Sequence, residues 1–253
     1  MAISVGQAQI FFLVLTRILA TIVHVPVLGG RTIPNQVKIP LGILLALIML
    51  PVQPQPSPIQ NLSGIAFGLA MGKEVFIGTI AGFAAVLTFG ALQIAGHLMG
   101  LVSGFGSGQI LNPAIEDNGT SLDQIFVMTS FLIFLVINGH HLFLLGLQKT
   151  FSLVPVNSAF PVLSMQTLIK MSAGFITSGV QMSLPILGTL LLTDLTLGLL
   201  ARVAPQVHVF FLGIPLKIGV GLLALALAIV ILLPNLNAIF GALGNRTLEL
   251  LGG

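Results

Sequence analysis

Six stretches of the 253-residue chain read as near-continuous apolar runs: 6–27, 39–52, 75–98, 124–147, 172–200 and 209–233. A helix needs about 20 apolar residues to cross a hydrocarbon core of ~30 Å, so the pattern predicts membrane-type helices. The second run is short and ends at Pro51, which makes it marginal as a span. A further apolar stretch, 62–72, precedes the third run. It is too short to cross and reads either as a half-helix or as the start of a long bent one. The connector 51–58, PVQPQPSP, is too proline-rich for a helix. Residues 104–123 form the longest irregular stretch. No boundary divides the chain, so the expected fold class is all-α: bent helical hairpins of about six apolar segments in a single domain, 1–253. A cleaved leader is not expected, because no Lys or Arg precedes the first run, Arg17 lies inside it, and no small-residue cleavage site follows.

Composition sharpens this reading. Apolar residues make up 56% of the chain and charged ones 6%, with mean hydropathy +1.12. Soluble domains carry about 25% charge, so an ordinary soluble enzyme is excluded, and so is a disordered chain. Zero Cys excludes disulfides, thiolate zinc sites and cysteine nucleophiles. The net charge is +3, but no Lys/Arg run exists that would form a nucleic-acid patch. Trp and Tyr are both absent, although membrane proteins enrich them at the headgroup levels. Either this is a compositional quirk, or much of the apolar surface faces other protein subunits instead of lipid. Counting cations for six spans puts Lys73, Lys149, Lys170 and Arg246 on one side and Arg31, Lys38, Arg202 and Lys217 on the other. The tie leaves orientation open. Either a segment is miscounted or the hairpins do not settle as plain bilayer spans.

Glycine recurs at four-residue spacing: Gly64, Gly68 and Gly72; Gly78 and Gly82; Gly96, Gly100, Gly104 and Gly108. Such rows let helices approach closely. Glycine also weakens helices by about 0.8–1 kcal/mol each, so Gly104, Gly106 and Gly108 are expected to end the third helix. The sequence that follows, within GFGSGQILNPAIEDNGTS (104–121), passes from glycine-rich to apolar at Ile110 and Leu111. It then turns at Asn112-Pro113, becomes acidic at Glu116 and Asp117, and turns again at Asn118-Gly119. A loop of this length has an r.m.s. reach of roughly 25 Å, enough to lie across a pore mouth. A solvated surface loop is the plainer reading. Irregular backbone at membrane depth lines a cavity or is buried in protein.

Charges within apolar runs need partners, since each costs roughly 2.5–3.5 kcal/mol at a helix centre. Arg17, Asp194 and Arg202 lie within such runs or at their edges, as does the Lys73-Glu74 pair, and Asp194 reads as the only mid-helix acid. Asp194 and Arg202 are about 12 Å apart along a helix, too far to pair with each other. Their partners are expected on another helix or another subunit. A packing or assembly ion pair is preferred over a proton relay, since one acid makes no relay. His140 and His141 are adjacent and point about 100° apart. No metal site is expected there, and Asn138-Gly139 marks a break or kink. No HExxH, GxSxG, GxGxxG or P-loop occurs, so no enzyme, catalytic residue or cofactor is expected. The rival reading is a small secondary transporter, but internal repeats and intramembrane polar residues are too few to build one.

Four ordered passages carry a resemblance: RILATIVHVPVLGGRTIPNQVKIPLGILLAL (17–47), the loop GFGSGQILNPAIEDNGTS, FLVINGHHLFLLGL (134–147) and PILGTLLLTDLTLGLLARVAPQVHVFFLGIPLKIGVG (185–221). Together they resemble the FliR/SctT family, the R component of the flagellar and injectisome (type III) protein export gate, with flagellar wording. The resemblance implies a single copy in a helical hetero-oligomer with FliP and FliQ subunits, FlhB wrapped around it and FlhA beneath. This assembly would sit in the bacterial inner membrane at the flagellar basal body and pass unfolded subunits outward. It implies a FliP-like part over about 1–170 and a FliQ-like hairpin over about 171–253. It also implies that the loop is a channel plug, here Gly104, Phe105, Gly106, Ser107, Gly108, Gln109, Ile110, Leu111, Asn112 and Pro113. Arg17, Asp194, Arg202 and Lys217 are then the intersubunit or packing charges.

Overall fold

A computed structural model describes residues 4–30, 33–52, 61–105, 119–156, 158–161, 164–206 and 208–252. Among them the chain is all-α. Helix α1 spans Val5–His24, followed by a single turn, α2, at Pro26–Gly29; α3 is Asn35–Met49, α4 Gly64–Val102, α5 Ser121–Val136, α6 Gly139–Leu153, α7 Met165–Val203, α8 Val209–Gly241 and α9 Leu243–Leu250. Local chemistry sets several of these ends. Ser4 and Gln7 form a reciprocal capping box at the start of α1. The Thr120 hydroxyl accepts from the Asp123 N–H at 3.3 Å and caps α5. Asn138 takes the left-handed conformation, φ 57°, ends the run of α5 and begins α6. The helix break expected at Asn138-Gly139 is found there.

Of the two readings open for residues 62–72, a half-helix or the start of a long helix, the structure shows the second. The stretches 62–72 and 75–98 are not separate segments. They fuse into α4, a 39-residue helix, because Lys73-Glu74 interrupts the hydropathy but contains nothing that breaks a backbone ladder. The run 124–147 is one apolar stretch in sequence but two helices in space. Four stretches are long and apolar enough to cross a membrane: Val5–His24, Gly64–Val102, Met165–Val203 and Phe211–Leu250. The bent α5–α6 pair is a fifth candidate, and α3 has only 15 residues. At 1.5 Å per residue α4 and α7 are each about 58 Å long, roughly twice a hydrocarbon core.

The helices group into two compact units, Met1–Phe89 with Asn138–Ser172 and Gly241–Gly253, and Gly90–Ile137 with Ala173–Phe240. In the first, Ile10, Leu13, Val14, Ile18 and Ile22 give α1 a buried stripe at helical spacing. That stripe packs with Ala46 and Met49 of α3 and Leu147 and Phe151 of α6. Gly78 and Gly82 let α4 lie against α1: a Cβ on Gly78 would stand 2.7 Å from Ala20 Cβ, and one on Gly82 2.9 Å from the Thr21 carbonyl. The C-terminal α9 returns to this unit. Gly146 of α6 meets Gly244 so closely that a Cβ would lie 2.8 Å from the Gly244 Cα, and Arg246 donates to Thr88 Oγ1 at 3.4 Å. In the second unit, Gly179 of α7 packs on the Ala91 carbonyl of α4, and Phe134 packs on Phe240 with ring centroids 5.0 Å apart.

The glycine rows therefore differ in role. Gly64, Gly68 and Gly72 have nothing within 4 Å of a built Cβ, whereas a Cβ on Gly100 would overlap Thr120 Oγ1. Gly68→Ala is expected to stabilise the isolated chain by up to about 1 kcal/mol through helix propensity. Gly100→Ala is expected to destabilise it by about 1–3 kcal/mol through overpacking. Thermal melts of the two variants in detergent check this opposition of sign.

Candidate functional site

The long connection after α4 is anchored in the second unit by a set of close approaches. Helix α4 ends at Val102, Ser103 is fully buried with its hydroxyl on the Gly100 carbonyl, and Gly104 takes φ +83°. L-residues with a side chain rarely adopt that conformation, so glycine is required where the chain leaves the helix. Gly104 lies over α8: a Cβ there would be 3.7 Å from Lys217 Cβ and 3.9 Å from the Ile214 carbonyl. On the return side, Gly119 has φ +136° and Thr120 caps α5. The capping Thr120 and the Asp123 carboxylate press onto Gly100 and Gly96 of α4, where side chains would not fit. The two ends of the connection are thus cinched together by the Gly96/Gly100 row. Of the loop residues singled out in the sequence, Gly104 and the half-buried Phe105 are described. Gly106, Ser107, Gly108, Gln109, Ile110, Leu111, Asn112 and Pro113 lie outside the described residues.

Below this stem Lys217 Nζ of α8 meets Asp194 Oδ1 of α7 at 2.7 Å, both side chains partly exposed. The pair ties the two helices of the α7–α8 hairpin directly under Gly104. Arg202, at the end of α7, is exposed and has no ion-pair partner among the described residues.

Arg17 is placed differently, in the first unit and with no exposed surface. It occupies the buried stripe of α1, between Val14 and Ile18. Its Nε donates to Glu74 Oε2 at 2.6 Å, its Nη1 donates to the Thr150 carbonyl at 3.1 Å, and its guanidinium lies 4.3 Å from the Phe151 ring centroid. Lys73 Nζ stands 3.9 Å from Glu74 Oε1 and donates to the Ser158 carbonyl at 2.6 Å. The expectation that Asp194 is the only mid-helix acid is corrected: Glu74 lies inside α4 with no exposed surface. Its signal in the sequence was the fusion of two apolar runs across Lys73-Glu74. Arg17 Nη2 and Glu74 Oε1 make no hydrogen bond among the described residues.

The rings of His140 and His141 lie with centroids 4.3 Å apart and tilted 47° to each other at the start of α6. Among the described residues no three His, Cys, Asp or Glu side chains are grouped to hold a metal.

A family model described as bacterial export proteins, family 1, matches residues 8–243. The chain is 32% identical over 244 residues to the flagellar biosynthetic protein FliR of Pectobacterium carotovorum subsp. carotovorum, covering 95% of this chain and 92% of that protein. It is 31% identical to FliR of Escherichia coli K12, covering 96% and 93%. It is also 27% identical to the Yop proteins translocation protein T of Yersinia pestis, covering 86% and 84%.

Removing one member of the Arg17–Glu74 pair strands the other in an apolar core. Arg17→Ala or Glu74→Ala is expected to cost about 3–5 kcal/mol. Arg17→Met combined with Glu74→Leu is expected to recover most of that loss. Melting of the purified variants in detergent separates the two outcomes.

Proposed function

Because the chain belongs to the bacterial export proteins, family 1, and is a membrane component of the flagellar, or type III, protein export apparatus, we propose that it forms with FliP- and FliQ-type subunits the channel through which unfolded flagellar subunits leave the cell. The family match over residues 8–243 carries this reading. Its place is the bacterial inner membrane at the flagellar basal body, with FlhB around the assembly and FlhA beneath. Residues of about 1–170 act as the FliP-like part and about 171–253 as the FliQ-like hairpin. Likeness to FliR of Pectobacterium at 32%, against 27% for the Yersinia protein, favours flagellar cargo over injectisome effectors.

Two physical features support an assembled state. Helices of about 58 Å exceed what a ~30 Å core requires. The most apolar 18-residue stretches of Met165–Val203 and of Phe211–Leu250 are only 17% and 22% buried within the chain. In this reading the segment Gly104–Pro113 is the plug. A channel for unfolded chain must be wide in use and tight at rest. A short apolar tip (Phe105, Ile110, Leu111) seals the lumen by excluding water. Glycine-rich flanks let entering polypeptide displace it at small cost. The stem geometry suits this role, since Gly96 and Gly100 hold the two ends together while Gly104 turns the chain out of the helix.

Deleting 104–113 is expected to raise resting ion leakage of cells carrying the assembled complex without reducing recovery of its subunits. Unchanged conductance in a correctly assembled complex would remove the plug assignment. Arg202→Ala is expected to lower co-purification of FliP- and FliQ-type subunits, with little change in the melting of the isolated chain. An assembled but inactive Asp194→Asn complex would instead make that acid part of a relay.

A further inference from the structure

One of the described acids is left without a Lys or Arg partner. Among the described carboxylates, Glu74 pairs with Arg17 and Asp194 with Lys217, and Glu249 has Arg246 as its charged neighbour. Asp123 has no ion pair among the described residues, and the titratable side chain beside it in the fold is His97. Its backbone N–H is used in the Thr120 cap, but no described side chain or backbone N–H donates to its carboxylate. Its oxygens press instead against Gly96 and Gly119. Position in the first turn of α5 accounts for a negative charge, yet it leaves the lone pairs unfilled.

This carboxylate lines a cleft of about 820 Å³ in the second unit, within the range that holds a sizeable group. Gln93 and His97 come from α4, Gln124 and Met128 from α5, and Phe175 from α7. The lining combines the apolar Ile94, Leu98, Val127, Met128 and Phe175 with the polar Gln93, His97, Asp123 and Gln124. The chain's own described cations are committed elsewhere or lie outside the cleft. Arg17, Lys73 and Lys217 are paired, Lys38 donates to the Gly29 carbonyl and Arg246 to Thr88. Lys149, Lys170 and Arg202 do not line it.

We propose that this cleft is a docking site for a lysine or arginine side chain presented by an apolar helix of a neighbouring subunit. The inference rests on the proposed place of the chain in a multi-subunit assembly. The charge of the incoming group neutralises Asp123, which no described Lys or Arg of this chain does. Its methylene stem lies along Met128 and the apolar walls, and its head lies near the face of Phe175. The side-chain carbonyls of Gln93 and Gln124 take its remaining N–H groups. A purely apolar helix would leave the carboxylate unpaired in a desolvated site, which is unfavourable.

The test uses the full assembly, co-expressed and purified in mild detergent, with a photoreactive phenylalanine analogue in place of Met128. That residue lies on the rim of the cleft and is 71% exposed. The expected adduct is a peptide of another export subunit with a lysine or arginine within one helical turn of the attachment point. Asp123→Asn is expected to reduce recovery of that subunit at least about tenfold, as loss of one member of a desolvated charge pair does. Asp123→Glu should retain it, and reversing both charges should restore it. Melting of the isolated Asp123→Asn chain should stay close to the wild type, which separates docking from folding. An adduct with phospholipid, with a second copy of this chain, or with a segment lacking a basic residue would overturn the proposal. So would unchanged recovery of Asp123→Asn. If the wild-type chain carries no other export subunit at all, the proposed function falls as well. If it carries them and Met128 gives no such adduct, only the docking site falls.

Discussion

A guanidinium with no exposed surface sits in the middle of the apolar face of α1, and the order of one whole unit follows from neutralising it. Arg17 takes a position where an aliphatic side chain would continue the stripe of Val14, Ile18 and Ile22. Its charge demands Glu74, which fixes the height and rotation of α4 against α1. With Glu74 placed, Gly78 and Gly82 fall one and two turns further on, at the points where α4 touches the α1 backbone and side chains. The remaining donors and the ring face of Phe151 bring in α6. A buried pair of this kind adds little net stability over a well-packed apolar substitute. What it adds is register. A slip of one turn, about 5.4 Å, would strand both charges, whereas leucines in the same places would tolerate it.

Small residues act with the ion pairs rather than independently of them. Each glycine row in contact lies beside a polar group that must reach its partner across a short gap. Gly78 and Gly82 lie beyond Glu74, Gly96 and Gly100 receive Asp123 and Thr120, and Gly104 turns above Lys217. The Asp194–Lys217 pair holds α7 to α8 where the Gly104 turn lies against α8. The same device, a charge pair plus a glycine that admits close approach, therefore appears once in each unit.

The sequence revealed helices, apolar class, the break at Asn138 and the family, because each leaves a local signal in periodicity, punctuation or wording. It left open whether 62–72 forms a half-helix or begins a long one, because hydropathy weights Lys73 and Glu74 as breaks, while a backbone ladder is indifferent to side-chain charge when a partner waits across the interface. That partner, Arg17, is 57 positions away, and no local rule connects them. The same is true of Lys217 with Asp194. A partner for Asp194 on another helix was expected, and it is Lys217 of α8, but nothing local singles that lysine out. Among the glycines, spacing alone did not distinguish the rows that pack from Gly64, Gly68 and Gly72, which face open space. That distinction depends on what stands opposite, which is a property of the fold.

The surface that remains bare argues against a self-sufficient particle. Leu191, Leu192, Leu195 and Leu199 of α7 are all more than half exposed, and so are Leu223, Leu227, Val230 and Ile231 of α8. A bilayer covers about 30 Å of such a helix, yet α7 runs nearly twice that length. Its last turns reach Val203, which is 83% exposed. No tilt within the usual range of 0–40° absorbs an excess of that size, and water disfavours contiguous apolar patches of such extent. The absence of Trp and Tyr points the same way, since a helix held at two headgroup levels is ordinarily marked by them. In the proposed assembly, neighbouring subunits would be a cover consistent with all three observations at once, since protein can follow a long helix beyond the hydrocarbon and needs no aromatic belt.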